Sequence, residues 1–574
     1  MRRAALREPV HGLAGGLTLG TGRSAMPALD LVVAHARVVD GCGNPWFRAD
    51  VGVRGDRIAA VAAPGTLDAA VRVEAGDRYL TPGFIDPHTH SDLSILLHPR
   101  ADSAVRQGVT THVTGNCGMS AAPLTEAHRD DAVQNWAHYA WGLDAVAWDW
   151  RTFGQYLKTL RRAGHAINIA PLVGHGALRL AAVGFAARPV TERELRLMER
   201  LLDEAMRAGA HGLSSGLVYP PGCYASTGEL VALCRVVARH RGIYTSHVRG
   251  ERETILEAVA EAIFIGREAG VPVEVSHNAP KWGAPEDASA NLALMEAARL
   301  DGHDVTTDND THPELAPPLS RALPQPVLDL GRDELLRLLR DPERREQLRR
   351  DVAADALPGA GYTGLVRHGR FERIVVLHAA HAPELRGRSV AEIAVGRGRD
   401  PFDTFLDLIV ENEDDVVGIF DYIAEDDIRA LLRSPLGMVC SDGLVMPPAE
   451  ELDDPALYWP CSYGEYAGVL ARFVRDEGVL RLEEAVRKMT SFPAQRFGLH
   501  DRGVLRPGLK ADLVLFDLGR VRDRATDPAP HAFPFENVPH RHAEGFDWVL
   551  VNGVPVVADG AHTGALPGRV LRRA

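Results

Sequence analysis

Cysteine, lysine and long apolar runs are all scarce in this chain of 574 residues. The six cysteines stand singly, at 42, 117, 223, 234, 440 and 461, with no CxxC pair and no secreted-domain spacing. That excludes a disulfide-built scaffold and fits a reduced, cytoplasmic setting. No stretch approaches about 18 uninterrupted apolar residues, which excludes a membrane-spanning helix. Basic residues number 64 against 77 acidic ones, for a net charge of -13. A nucleic-acid partner, which needs a basic face to displace phosphate counterions, is excluded with it. Lysine occurs only at 158, 281, 488 and 510, so any mechanism that needs a lysine has four candidates. What is present is an ordinary globular mixture, 45% hydrophobic and 25% charged, which rules out disorder for the bulk of the chain.

Residues 1–26 begin with basic residues, but Arg7 and Glu8 interrupt any apolar core and the rest is rich in Gly, Ser and Thr. They make a poor signal peptide and read as a disordered extension or an early start ahead of Met26. From Leu29 the texture changes to LDLVVAHARVVD, ADVGVRGDRIAAVAA and VRVEAGDRYLTPG, apolar alternation broken by Gly-containing turns, as in antiparallel hairpins. The same texture returns in DRGVLRPGLKADLVLFDL and FDWVLVNGVPVVADG. Each end alone is short of strands for a stable core. The expectation is one small β-sandwich from residues 27–82 and 498–574, with the middle as a large insertion.

That middle, residues 83–497, alternates short apolar strands with amphipathic helical stretches, the pattern of βαβ units. Eight strand segments can be marked: YLTPGFIDPHTH, GVTTHVTGNCG, AINIAPLVGHG, AHGLSSGLVY, GIYTSHVRG, VPVEVSHNA, GHDVTTDND and PLGMVCSDG. Eight such units imply an α/β fold of the (β/α)8 TIM-like barrel type. The gap before the eighth strand is too long for one helix, so residues of about 310–395 are expected to form an insert near the barrel mouth.

Barrel enzymes carry their chemistry at the C-terminal ends of the strands. There the first segment ends in His88-Thr89-His90, the second in Cys117, the fifth in His247, the sixth in His277 and the eighth in Asp442. At i, i+2 spacing both imidazoles of an HxH pair face the same way and can share one ion. A lone cysteine is ordinarily a small buried hydrophobe, and a single strand-end histidine is ordinarily structural. On one rim together they form a zinc-type donor set, in which Cys117, His247 and His277 give the three protein ligands of a catalytic site with an open position. Asp442, in CSDG, reads either as a turn or cap residue or as the general base of a metal-assisted hydrolysis. His175 and His211 also stand near strand ends, with either a supporting or a purely structural role.

These segments resemble the N-acyl-D-amino-acid deacylases (D-aminoacylases) of the metal-dependent amidohydrolase superfamily. The likeness is carried by TPGFIDPHTHSD, GVTTHVTGNCGMSAAPL, GLSSGLVYPPGCYASTGEL, YTSHVRGE, REAGVPVEVSHNAPKWG, CSDG and the long EEAVRKMTSFPAQRFGLHDRGVLRPGLKADLVLFDL. It runs from about residue 29 to the end, except for the insert. The resemblance implies a barrel with a sandwich made from both chain ends. It also implies a tight zinc on Cys117, His247 and His277, a second, weaker one at His88 and His90 with the thiolate able to bridge, and Asp442 as acid/base. The reaction implied is hydrolysis of the amide of an N-acyl amino acid, a small-molecule substrate, with N-acyl-D-amino acids first in line. Lys281 would meet the substrate carboxylate and Tyr219 would bond the substrate or its oxyanion. A cyclic amidase of hydantoinase or dihydroorotase type, a deacylase of a non-amino-acid amide, and a non-catalytic metal-binding protein are the other readings.

Three segments depart from the family pattern. LYWPCSYGEY lacks the arginine expected after the eighth strand, TTDNDTHPE stands in place of Asp-x-Tyr-Pro-Tyr after the seventh, and HVRGE has Gly250 where an acidic residue is expected.

Overall fold

The computed structural model describes residues 29–136, 143–328, 330–354, 363–447, 459–525 and 541–573. The N-terminal segment read as a disordered extension lies outside the described residues.

The two ends of the chain build one sheet. Strands Leu29–Val38, Phe47–Arg54, Arg57–Ala62, Ala69–Glu74 and Tyr79–Pro82 join Leu513–Phe516, Phe546–Val551, Val554–Ala558 and Ala561–His562 in a nine-stranded array. The two ends meet where Tyr79–Pro82 pairs antiparallel with Leu513–Phe516, Leu513 opposite Pro82 and Phe516 opposite Tyr79. Alternation along the strands sends Leu31, Val33, Val51, Val53 and Leu80 into a common core with Leu513, Leu515 and Leu550. The sandwich core thus draws on both ends, as the strand count demanded.

The middle of the chain is the barrel. Its strands are Phe84–Asp86, Val109–Thr114, Asn168–Pro171 continuing as Val173–Gly174, Gly212–Gly216, Ile243–His247, Val273–Val275, Val305–Asn309 and Gly437–Val439. All neighbours pair in parallel. Most positions are buried on both faces, as a helix-covered parallel sheet requires. The third strand bends at Leu172: its first half pairs with the second strand, its second half with the fourth. Closure between the first and eighth strands is made just beyond their ends, where Thr89 bridges Gly443, His90 N–H donates to Gly443 O at 2.8 Å and Asp442 N–H to His88 O at 3.1 Å.

The helices follow their sequence signals. Glu192–Ala208 starts at a reciprocal capping box between Thr191 and Glu194 and stops at Gly209, whose φ of 113° suits the left-handed cap. It buries Met198, Leu202, Ala205 and Met206, one stripe at near-helical spacing. Between the seventh and eighth strands the chain forms a small antiparallel sheet of Glu314–Leu315, Ile374–Ala379 and Val416–Asp421, so its middle strand comes from beyond residue 395. No described helix is long and apolar enough to cross a membrane.

His211 precedes the fourth strand rather than ending it, which puts it at the barrel floor, away from the rim. It is buried, and its Nδ1–H donates to Phe497 O at 2.8 Å. Burial pushes its imidazole down to about 4. A neutral histidine of this kind stabilises the fold above its unfolded value, near 6.5, and the contribution is lost as the pH falls towards 4. By pH 5 the loss is roughly 2 kcal/mol. Urea midpoints at pH 7.5 and 5 should therefore fall less in His211→Asn than in the parent; equal slopes would remove His211 as a source of acid sensitivity.

Candidate metal centre

The rim residues arrive from separate strands. His88 and His90 lie just past the first strand, Cys117 in the loop after the second, His247 at the end of the fifth, His277 after the sixth and Asp442 after the eighth. The Cys117 loop owes its shape to two glycines. A Cβ on Gly115 would lie 2.3 Å from Leu172 O, and one on Gly118 would lie 2.8 Å from Gly216 N. Both also have positive φ, so the GNCG turn can sit this close to its neighbours only without side chains there. Cys117, His277 and Asp442 themselves adopt left-handed φ values of 49°, 34° and 48°. Each costs on the order of 1 kcal/mol for a residue with a Cβ, and such strain gathers at functional sites. It is held in place locally: Gly118 N–H donates to Ser214 Oγ at 3.0 Å and His277 N–H to Asp308 Oδ1 at 2.7 Å.

Two donor groups result. Ligand atoms of His88, His90, Cys117 and Asp442 form one, and those of Cys117, His247 and His277 the other, each group within 4.8 Å. The Cys117 Sγ belongs to both. It lies 3.2 Å from His88 Nε2, 3.6 Å from His247 Nδ1 and 3.5 Å from His277 Nε2. Two ligands of a tetrahedral zinc, sulfur at about 2.3 Å and nitrogen at about 2.0 Å, stand about 3.5 Å apart. Donor type and spacing both fit zinc. Asp442 Oδ1 stands 3.0 Å from His90 Nε2 and 3.3 Å from His88 Nε2.

The electrostatics set a thiolate and a carboxylate among charged imidazoles, whose protons metal binding would release. Burial alone would raise the Cys117 thiol, but the charge of His88 and contacts from His247 and His277 hold it well below its ordinary range. Burial opposes charging of His90, yet its hydrogen bond to Asp442 and the nearby thiolate push it up to about 9. His247 also reaches about 9, with Glu251 and Cys117 overcoming its burial. Asp442 stays below the ordinary carboxylate range because His88, His90 and His277 outweigh its desolvation.

The two remaining expected residues reach the same rim by different routes. Tyr219, in the loop after the fourth strand, has its hydroxyl 2.7 Å from His247 Nδ1. Lys281 is buried beyond the sixth strand, its ammonium 4.8 Å from the centre of the Tyr422 ring. The other three lysines are placed elsewhere: Lys158 is exposed on helix Phe153–Ala163, Lys488 donates to Ser434 O and Gly437 O, and Lys510 pairs with Asp56. His175 is the first residue of helix His175–Val183, its Nε2 2.8 Å from Glu229 Oε1 in a buried network with Arg179.

Several acidic residues around the site escaped the sequence reading. Asp308 places its Oδ2 3.4 Å from His88 Nδ1 while its Oδ1 anchors the His277 backbone. Beneath it, burial and the charge of Asp308 push Glu274 well above its ordinary range. Asp86 accepts from the backbone N–H groups of His88 and Ser441, both at 3.2 Å, and so ties the first strand end to the eighth. Glu251 corrects the reading of HVRGE: an acidic residue is present one place after Gly250, its Oε1 3.3 Å from His247 Nε2. Its charge partners, His247 first, outweigh its burial and bring it down to about 2. The available signal was the i, i+4 spacing from His247.

The model of the amidohydrolase family matches residues 72–557. A D-aminoacylase of Alcaligenes xylosoxydans xylosoxydans is 35% identical over 554 residues, covering 95% of this chain and 98% of that protein. A D-aminoacylase structure solved to study its binuclear metal centre superposes with a TM-score of 0.73 at 34% identity, over 95% of this chain and 100% of that one. The N-acyl-D-glutamate deacylase of Bordetella bronchiseptica, solved with zinc and a phosphonate mimic of the tetrahedral intermediate, superposes with a TM-score of 0.72 at 32% identity, again over 95% and 100%.

Proposed function

Since the chain belongs to the amidohydrolase family and, within it, to the D-aminoacylases, we propose that it hydrolyses the amide bond of N-acyl-D-amino acids. Cys117, His247 and His277 would hold one tightly bound zinc, and His88 and His90 would be available to a second, weaker one. A zinc so held supplies a Lewis acid and lowers the pKa of the water it binds towards about 7.

The residues of the chain do the rest. Asp442 takes the proton of the attacking water and later delivers it to the leaving amide nitrogen. The observation that carries this reading is the place of its carboxylate, within reach of both His88 and His90 yet with its side chain still 22% exposed. It is fixed at the donor cluster and open to water and substrate. Tyr219, whose hydroxyl already stands at the cluster, donates to the oxygen on which charge develops. Lys281 pairs with the substrate carboxylate, its ammonium already placed at the rim over the Tyr422 ring.

The test is a turnover screen of zinc-loaded protein on N-acyl-D- and N-acyl-L-amino acids, cyclic ureides and carboxylate-free amides, with metal content measured in parallel. Turnover of N-acyl-D-amino acids is the expected result; turnover confined to cyclic ureides would overturn the reading. In the same assay Lys281→Ala should raise KM for carboxylate-bearing substrates on the order of 10- to 100-fold while leaving the metal bound. A variant that instead loses its metal would place Lys281 in a different role.

A further inference from the structure

Asp310 is a residue of the barrel mouth that the proposed reaction leaves unused. It follows the seventh strand, Val305–Asn309, by one position, two beyond Asp308. Residues two apart on extended chain face the same way. Asp308 faces His88 and the His277 backbone, so Asp310 faces the barrel axis one layer nearer the opening. Only 4% of it is exposed. Its Oδ1 has no hydrogen-bond partner and its carboxylate enters no ion pair among the described residues.

The charges around it are also on the page. Lys281 and His277 attract the carboxylate, while Asp442 and Glu465 repel it, and its burial pushes it up to about 6. The nearby cation His312 is already taken, with Nδ1 2.5 Å from Glu465 Oε2 and Nε2 3.3 Å from Asp523 Oδ2. Lys281 attracts Asp310 from its place over the Tyr422 ring, with no ion pair between the two among the described residues. If it turns to a substrate carboxylate, Asp310 loses its main source of attraction. A desolvated carboxylate in that position gains most from a cation that arrives with the ligand.

We propose that Asp310 selects the substrate by receiving a cationic end group, an ammonium or guanidinium, so that the preferred substrate is an N-acyl amino acid with a basic side chain. Lys281, past the sixth strand, takes the negative end, and Asp310, past the seventh, takes the positive one. The inference rests on the deacylase reading above, which supplies the N-acyl amino acid; the polarity of the side chain is what Asp310 adds.

The experiment compares N-acetylarginine with N-acetylcitrulline, near-isosteric side chains of which one is charged and the other neutral, as both enantiomers, on the zinc-loaded protein. The expected kcat/KM ratio favours arginine on the order of 10- to 100-fold, and Asp310→Asn brings it close to one. A ratio near one in the parent protein, or one that persists in the variant, would overturn the assignment. Asp310→Ser is the second variant should the first fail to fold, with thermal melting as the check. Calorimetric binding of D-arginine and D-citrulline to the same proteins separates this inference from the deacylase reading. A preference for D-arginine that Asp310→Asn abolishes, without turnover of any N-acyl amino acid, would leave Asp310 as the cation receiver and remove the deacylase reading. Equal binding of the two without turnover would remove both.

Discussion

Asp442→Asn should keep its fold and most of its metal and lose kcat by on the order of 10²–10⁴-fold. Asparagine is the informative replacement because it matches the shape of aspartate and tolerates the left-handed φ of 48° found at this position. What it removes is the ability to accept and return a proton. The group of Cys117, His247 and His277 does not include Asp442, so its zinc should stay bound, and any loss should be confined to the group of His88, His90, Cys117 and Asp442. Metal analysis alongside kcat separates the outcomes. Lost activity with retained metal identifies Asp442 as the proton shuttle, and near-normal kcat would return it to the role of a turn residue.

The second large effect is expected at Cys117. Its Sγ is the one atom common to both donor groups, so Cys117→Ala should empty both together, taking zinc content and activity to background. The backbone gives little cover for a folding explanation, since alanine meets the φ of 49° at about the same cost as cysteine and only a thiol is lost from the buried position. Thermal melting of the metal-free parent and variant should therefore be similar. Full zinc retention in the variant would sink the thiolate as a ligand.

Much of this architecture could be read in the chain because its signals are local. The eight barrel strands are short apolar runs ending in small or polar residues, and the rim residues sit at those ends. The HxH spacing and the GNCG turn are self-contained, and the two glycines beside Asn116 and Cys117 are required by contacts with Leu172 and Gly216. Asp308, Glu274 and Asp86 stayed hidden for the opposite reason. Each acts through a partner on another strand: Asp308 on His88, far back in the chain, and Asp86 on Ser441, far ahead. Nothing in TTDND by itself distinguishes a residue that steadies an imidazole from one that caps a helix. His211 misled in the other direction, since the segment AHGLSSGLVY does not reveal that the strand begins only at Gly212. Burial and the bond of its Nδ1–H to Phe497 O place it in the barrel floor.

The seam between the first and eighth strands gives the centre an order of assembly. Cys117, His247 and His277 are all present once the first half of the chain has been made, and the fifth and sixth strands, which carry the two histidines, are neighbours in the sheet. His90 and Asp442 are 352 residues apart and meet only when the eighth strand docks beside the first. A chain emerging from the ribosome therefore carries all three residues proposed as zinc ligands before Asp442, the proposed proton shuttle, is synthesised. On the proposed reading the residues for metal capture are made before the residue for proton transfer, and the hydrolase is complete only when the barrel shuts.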